Sequence, residues 1–214
     1  MVGRYPDFDV LETADHWDEV TRRVVLERVQ SVPDRRFFDP RQWESLNALC
    51  DHLSGQVGEE PKLPVLAFVD QKLFDGKRDG YRYFDLPDDG TVWKTVAHGL
   101  DGEAEASGGT TFDRLDVHEQ DRLCHRFDKG QLHGGVWATL NVGHAFSLVM
   151  RDICEAYYAH PWAWNEIGFP GPAYPRGYSR FGSPHLRNGE TETWEAREAY
   201  ELDPVRDTKS RGLD

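Results

Sequence analysis

Cysteine is scarce: Cys50, Cys124 and Cys154 are the three in a chain of 214 residues. An odd, sparse set builds no disulfide framework, and buried free thiols are the reading it favours. Positive charge is also short. Lys plus Arg number 25 against 38 Asp plus Glu, a formal net charge of −13. A surface of that sign does not neutralise phosphate, so the composition argues for no nucleic-acid partner and against docking on anionic lipid. Long apolar runs are missing too. Residues 131–150 hold no Asp, Glu, Lys or Arg, yet Gln131, His133, Asn141, His144 and three glycines make the stretch too polar to span a bilayer. No direct membrane insertion is expected, and the stretch reads as a loop running into a buried helix.

The usual signatures of autonomous chemistry are absent as well. There is no Gly-rich phosphate cradle, no GxGxxG dinucleotide fingerprint, no GxSxG elbow and no CxxCH haem attachment. His118-Glu119 begins like HExxH, but Arg122 stands where the second imidazole must be. Residues 1–7 carry neither a basic segment ahead of an apolar one nor a twin-Arg pair. The expectation is a cytoplasmic protein, with periplasmic location by co-export on a partner as the alternative.

What is present reads as helices. Mean hydropathy is −0.69, and aromatics are 12% of residues with 7 Trp, which is too rich for a disordered chain. Residues 1–12 read as an irregular arm, and 14–30 as a helix with Trp17, Val20, Val24 and Val25 on one stripe. Asp39-Pro40-Arg41-Gln42 spells a capped start with proline at the first helical position, followed by Trp43, Leu46, Cys50 and Leu53 on one face. Further helices are expected over 64–74 and 87–100, with Gly76 and Gly80 bracketing a polar loop. Residues 101–112 read as a surface loop, and Asp116 with Glu119 opens another helix. The most regular pattern is 143–158, where Phe146, Val149, Met150, Ile153, Cys154, Tyr157 and Tyr158 recur at helical spacing. The predicted fold is mainly α, a compact bundle of about six helices with an irregular Pro/Gly/aromatic-rich C-terminal segment. Residues 1–182 form one helical domain with its N-terminal arm, and 183–214 an acidic, extended tail.

Two groups of residues invite a function. The segment His160-Pro161-Trp162-Ala163-Trp164-Asn165-Glu166-Ile167-Gly168-Phe169-Pro170-Gly171-Pro172-Ala173-Tyr174-Pro175-Arg176-Gly177-Tyr178 sets rigid rings and one Arg in a chain with three Gly and four Pro, a density expected to prevent regular helix. Trp, Tyr and Arg dominate interface energetics, and a restricted backbone lowers the ordering cost of binding. The candidate partner-contact residues are His160, Trp162, Trp164, Asn165, Phe169, Pro170, Pro172, Tyr174, Arg176 and Tyr178. Packing of the same rings in this protein's own core is the competing reading, and both stay open. Trp162 and Trp164 also suit stacking on a sugar. The second group is His125, His133, His144 and His160 with Glu155 and Glu166, the material for a stand-alone metal-dependent enzyme. None of these is spaced as a ligand pair, which favours hydrogen-bonded or surface histidines.

The segment 160–178 resembles the C-terminal signature of the gluconate 2-dehydrogenase subunit 3 family. The resemblance extends through AYYAHP at 156–161 and FFDPRQWESLNALCDHL at 37–53. Pro170 and Tyr174 depart from it, standing where Gly and a small residue are usual. The resemblance implies a non-catalytic small subunit that binds and stabilises, or helps to mature, a large FAD-dependent sugar or sugar-acid dehydrogenase of the glucose-methanol-choline type. FAD and the catalytic His are then expected in the large subunit, and no cofactor in this chain. Some complexes of the family add a c-type cytochrome. Many members carry a twin-Arg signal.

Overall fold

Carboxylate caps set most of the helix starts. In the computed structural model, which describes residues 9–169, 171 and 172, Asp18 accepts the Thr21 N–H at 3.1 Å and opens α1 (Glu19–Gln30). Asp39 accepts the Gln42 N–H at 2.9 Å, and the Gln42 side chain returns a bond to the Asp39 N–H, which makes the predicted capping box of α2 (Pro40–Leu53). Next come α3 (Val65–Phe74), which follows Pro64, and α4 (Asp89–Ala106), capped by Asp88. Asp116 caps α5 (Val117–Asp128), and α6 (Val142–Tyr158) and α7 (Pro161–Ile167) complete the set. No strand occurs among the described residues, and the fold is mainly α. None of the helices described is long and apolar enough to cross a membrane.

The chain divides into two compact units. One is Val32–Tyr157; the other joins Met1–Ser31 to Tyr158–Asp214. In the Val32–Tyr157 unit, α2 packs on α3, α4 and α5. Leu46, Leu49 and Cys50 of α2, Trp93, Val96 and Leu100 of α4, and Leu148, Val149 and Ile153 of α6 are buried. Two buried aspartates organise the backbone around them. Asp70 accepts the N–H groups of Arg36, Phe37 and Phe38 at 2.7, 3.0 and 2.9 Å, which pins the entry to α2. Asp101 accepts from the Ser45 hydroxyl, the Phe112 N–H and the Arg41 guanidinium. Gly99 is required by packing: a Cβ there would lie 2.4 Å from Cζ2 of Trp137.

Two expectations are corrected in this unit. Residues 101–112 are not a surface loop, because α4 continues to Ala106 and Asp101, Ala104 and Phe112 are buried. The buried face of α6 is rotated from the predicted stripe. It runs through Val142, Ala145, Leu148, Val149, Asp152, Ile153 and Tyr157, whereas Tyr158 is half exposed. Asp152 accounts for the difference: a carboxylate with internal cation partners sits inside where periodicity counts it as polar.

The second unit gathers a 3-10 segment, Val10–His16, with α1 and α7 around Val10, Ala14, Trp17, Val25 and Trp164. Within the arm expected to be irregular, residues from Val10 on form the 3-10 segment, and Val10 is fully buried. On α1, only Val25 of the three predicted valines is buried; Val20 is 57% exposed and Val24 42%. Residues 161–167, expected to be irregular, form α7. Pro161 occupies its first turn, where a missing N–H costs nothing, and Gly168 ends it at φ 69° in the left-handed region. The predicted tail 183–214 lies outside the described residues.

Candidate functional site

The segment singled out in the sequence begins as a tightly engaged element. His160 is buried and caps α7, with Nδ1 accepting the Trp162 N–H at 3.2 Å. That bond needs a neutral ring. Burial, with the Arg28 charge nearby, pushes the His160 pKa down to about 4. Arg28 in turn donates to the Ala159 carbonyl at 2.8 Å and ties α1 to the start of α7. Trp164 is buried in the unit's core, donates Nε1–H to the Tyr158 carbonyl at 2.6 Å and meets Phe169 edge to face at 5.4 Å. Asn165 accepts the Val10 N–H at 2.8 Å and donates to Asp9 at 3.2 Å. Gly171, at φ 82°, packs where a Cβ would lie 2.9 Å from Val10 Cγ2. Trp162 and Pro172 are half buried. Pro170, Tyr174, Arg176 and Tyr178 lie outside the described residues. The motif thus folds α7 back on the N-terminal segment, and Trp164 is not presented beside Trp162 as a two-ring platform for sugar.

The histidines are not drawn into one centre. Nδ1 of His144 bonds Asp85 at 2.8 Å, and the ring stacks on Tyr83 at 4.1 Å. His160 is the α7 cap. Among the described residues, the side chains placed to hold a cation are Asp79, Asp152 and Glu155, and no histidine belongs to that group. Lys72 already sits on it: Nζ lies 2.8 Å from Asp79, 3.1 Å from Asp152 and 2.6 Å from Glu155. Burial opposes the ammonium charge, but the hydrogen bonds to Asp79 and Glu155 and the Asp152 charge outweigh it, and the Lys72 pKa stays above its ordinary value. Arg151 adds contacts to Asp79 at 3.0 Å and Asp152 at 3.2 Å, and Trp93 donates Nε1–H to the second Asp152 oxygen at 2.9 Å. Burial and the Asp152 charge raise the pKa of the neighbouring Asp89. This network joins α3, α4 and α6, and each of its carboxylates lies within ion-pair distance of Lys72 or Arg151.

The sequence reading missed that network. The available signal was Asp152 itself, four residues after Leu148 and beside Ile153 on the core side of the best helix. Cys50 and Cys124 are buried free thiols as expected, and Cys154 is only partly buried; burial raises the Cys50 pKa and takes that of Cys124 to about 12.

The described residues therefore form a helical protein whose singled-out groups cap helices, fill cores and balance buried charge. The family model for gluconate 2-dehydrogenase subunit 3 matches residues 40–171, more than half of the chain, and the protein belongs to that family. The match starts at the first residue of α2 and ends at Gly171, so it takes in the helices of the larger unit and α7 of the smaller one. Searches of curated proteins and of solved structures returned no match.

Proposed function

We propose that this chain is a non-catalytic small subunit that binds and stabilises a large FAD-dependent dehydrogenase of the glucose-methanol-choline type, acting on a sugar or sugar acid. The family match over residues 40–171 is the observation that carries the reading. The flavin and the reacting groups belong to the large subunit, and a c-type cytochrome joins in some assemblies. Assembly takes place in the cytoplasm.

The contact is made by the C-terminal segment, through the half-buried Trp162 and Pro172 and through Tyr174, Arg176 and Tyr178. His160, Trp164, Asn165 and Phe169 support that surface from within their unit, where their buried bonds already engage them. A half-buried Trp held on a capped helix suits an anchor, because its rotamer is restricted before binding. The test is affinity purification of the tagged full chain from its own host, with the eluate read by flavin absorbance and dye-linked sugar oxidation. A yellow eluate with a large dehydrogenase subunit is expected. A colourless eluate without one overturns the reading.

A further inference from the structure

We propose that a cleft at the start of α4 docks an acidic segment of the dehydrogenase subunit, an inference that rests on the function proposed above. The cleft has a volume of about 490 Å³ and is lined by Phe37, Lys77, Arg78, Tyr81 and Arg82 together with Asp88 and Asp89 at the start of α4, where Asp88 is the N-cap and Asp89 lies 3.5 Å from Arg151. The loop beside it exposes apolar rings: Phe84 is 95% exposed, Tyr81 64% and Phe74 51%. Rings so exposed and so close in sequence are costly to leave in water and typical of contact surfaces.

Charge selects the partner. The whole chain carries −13, so an acidic protein meets general repulsion. Screening confines that repulsion to roughly 8 Å at physiological salt, and local charge then decides a contact. In this loop the acids are largely matched from within. Asp75 pairs with Lys77 at 3.2 Å and Arg36 at 3.6 Å, and Asp79 with Lys72 and Arg151. Asp85 accepts from Asn141 at 2.8 Å and bonds His144, and Asp88 caps α4 and feels the Arg78 charge. Arg82 is exposed and has no hydrogen-bond or ion-pair partner among the described residues. Two further cations lie over ring faces at the same end of the unit, Lys94 at 4.1 Å from the Phe37 centroid and Arg36 at 4.2 Å from that of Phe74.

The loop is held before any partner arrives. Tyr83 stacks on His144 at 4.1 Å and meets Tyr81 edge to face at 5.5 Å. A positive, ring-bearing, pre-ordered concavity fits a peptide segment that alternates carboxylates with apolar residues. It does not fit a flat anionic bilayer, which cannot enter a concavity.

The test titrates the full chain against the flavoprotein subunit recovered by copurification. Arg82→Glu and Phe84→Ser are compared with wild type and with Arg114→Glu, an exposed reversal beyond the far end of α4. Expected are affinity losses of about tenfold for Arg82→Glu and Phe84→Ser, a shallower salt dependence for Arg82→Glu, and wild-type melting for both. Arg114→Glu should bind as wild type does. A copurified flavoprotein that binds all variants equally overturns the cleft alone. Failure to recover any flavoprotein overturns the parent reading, and the docking inference falls with it. Two outcomes reassign the cleft and overturn the inference: wild-type but not Arg82→Glu chain sedimenting with phosphatidylserine vesicles, or self-association of wild type that Arg82→Glu abolishes.

Discussion

The imidazole of His160 does two jobs that only its neutral form allows. Nδ1 accepts the Trp162 N–H as the cap of α7, and the residue is buried. Protonation would remove the accepting lone pair and bury a charge near Arg28. The pKa is therefore about 4 in the folded chain against 6.5 for a free imidazole. The sign follows from proton uptake. Between those two values the unfolded chain binds a proton that the folded chain refuses, so stability is full above about pH 6.5 and is lost as pH falls toward 4. The expected result is a lower melting temperature at pH 5 than at pH 7. His160→Asn keeps a capping oxygen and loses the titration, so its melting temperature should start lower at pH 7 and fall less. Calorimetry at the two pH values checks this. An equally steep fall in His160→Asn would mean that other groups carry the pH dependence.

At the scale of elements, Asp152 joins three helices. Its side chain is fully buried and meets Lys72 of α3, Trp93 of α4 and Arg151 of α6. Removing the carboxylate leaves the Trp93 indole N–H without its acceptor and takes from Lys72 and Arg151 the one fully buried carboxylate among their partners. Breaking a buried pair in this way costs roughly 3–5 kcal/mol. Asp152→Ala should lose about that much in urea unfolding, and Asp152→Asn less, since an amide oxygen can still accept from Trp93. A loss under about 1 kcal/mol for Asp152→Ala would show the network to be dispensable, as exposed pairs commonly are.

The same helix shows what periodicity can and cannot read. Capped starts are local, so Asp39-Pro40-Arg41-Gln42 and Asp116 were legible residue by residue. The position of α6 was legible, but its orientation was not, because Asp152 is stabilised by Lys72 and Trp93, both distant in sequence. The proline and glycine density of residues 160–178 concealed α7, although Pro161 and Gly168 are the residues expected at the two ends of a short helix. Trp162 and Trp164 stood out in the sequence, yet which of them faces the core depends on Val10 and Trp17, about 150 residues away. The cleft was not legible for the same reason: Phe37 and Arg82 become neighbours only once α2 and α4 have packed.

On the whole molecule, the family match spans both units, and so do the contacts proposed for the dehydrogenase subunit: the α4 cleft is on the larger unit and the C-terminal segment on the smaller one. Two tryptophans on one short helix separate folding from binding there. Trp164 is in the core with its N–H bonded, so Trp164→Ala should destabilise the free chain by roughly 3–5 kcal/mol and lower its melting temperature. Its affinity for the flavoprotein subunit, measured cold enough to keep the unit folded, should match wild type. Trp162 is half buried, and Trp162→Ala should leave melting nearly unchanged. It should weaken binding by ~2 kcal/mol, about thirtyfold. Partner binding must also raise the stability of this chain, by about 2.7 kcal/mol when the free subunit is present at a hundred times its Kd. At a fixed partner concentration that increment should be the same for Trp164→Ala as for wild type, and smaller for Trp162→Ala. The measurements are melting curves with and without the flavoprotein subunit, alongside a binding isotherm for each variant. If Trp162→Ala binds as wild type and gains the full increment, the outer face of α7 is not the contact. If Trp164→Ala gains less than wild type although it is folded, the buried ring is part of the contact after all and its burial in the free chain is what binding rearranges.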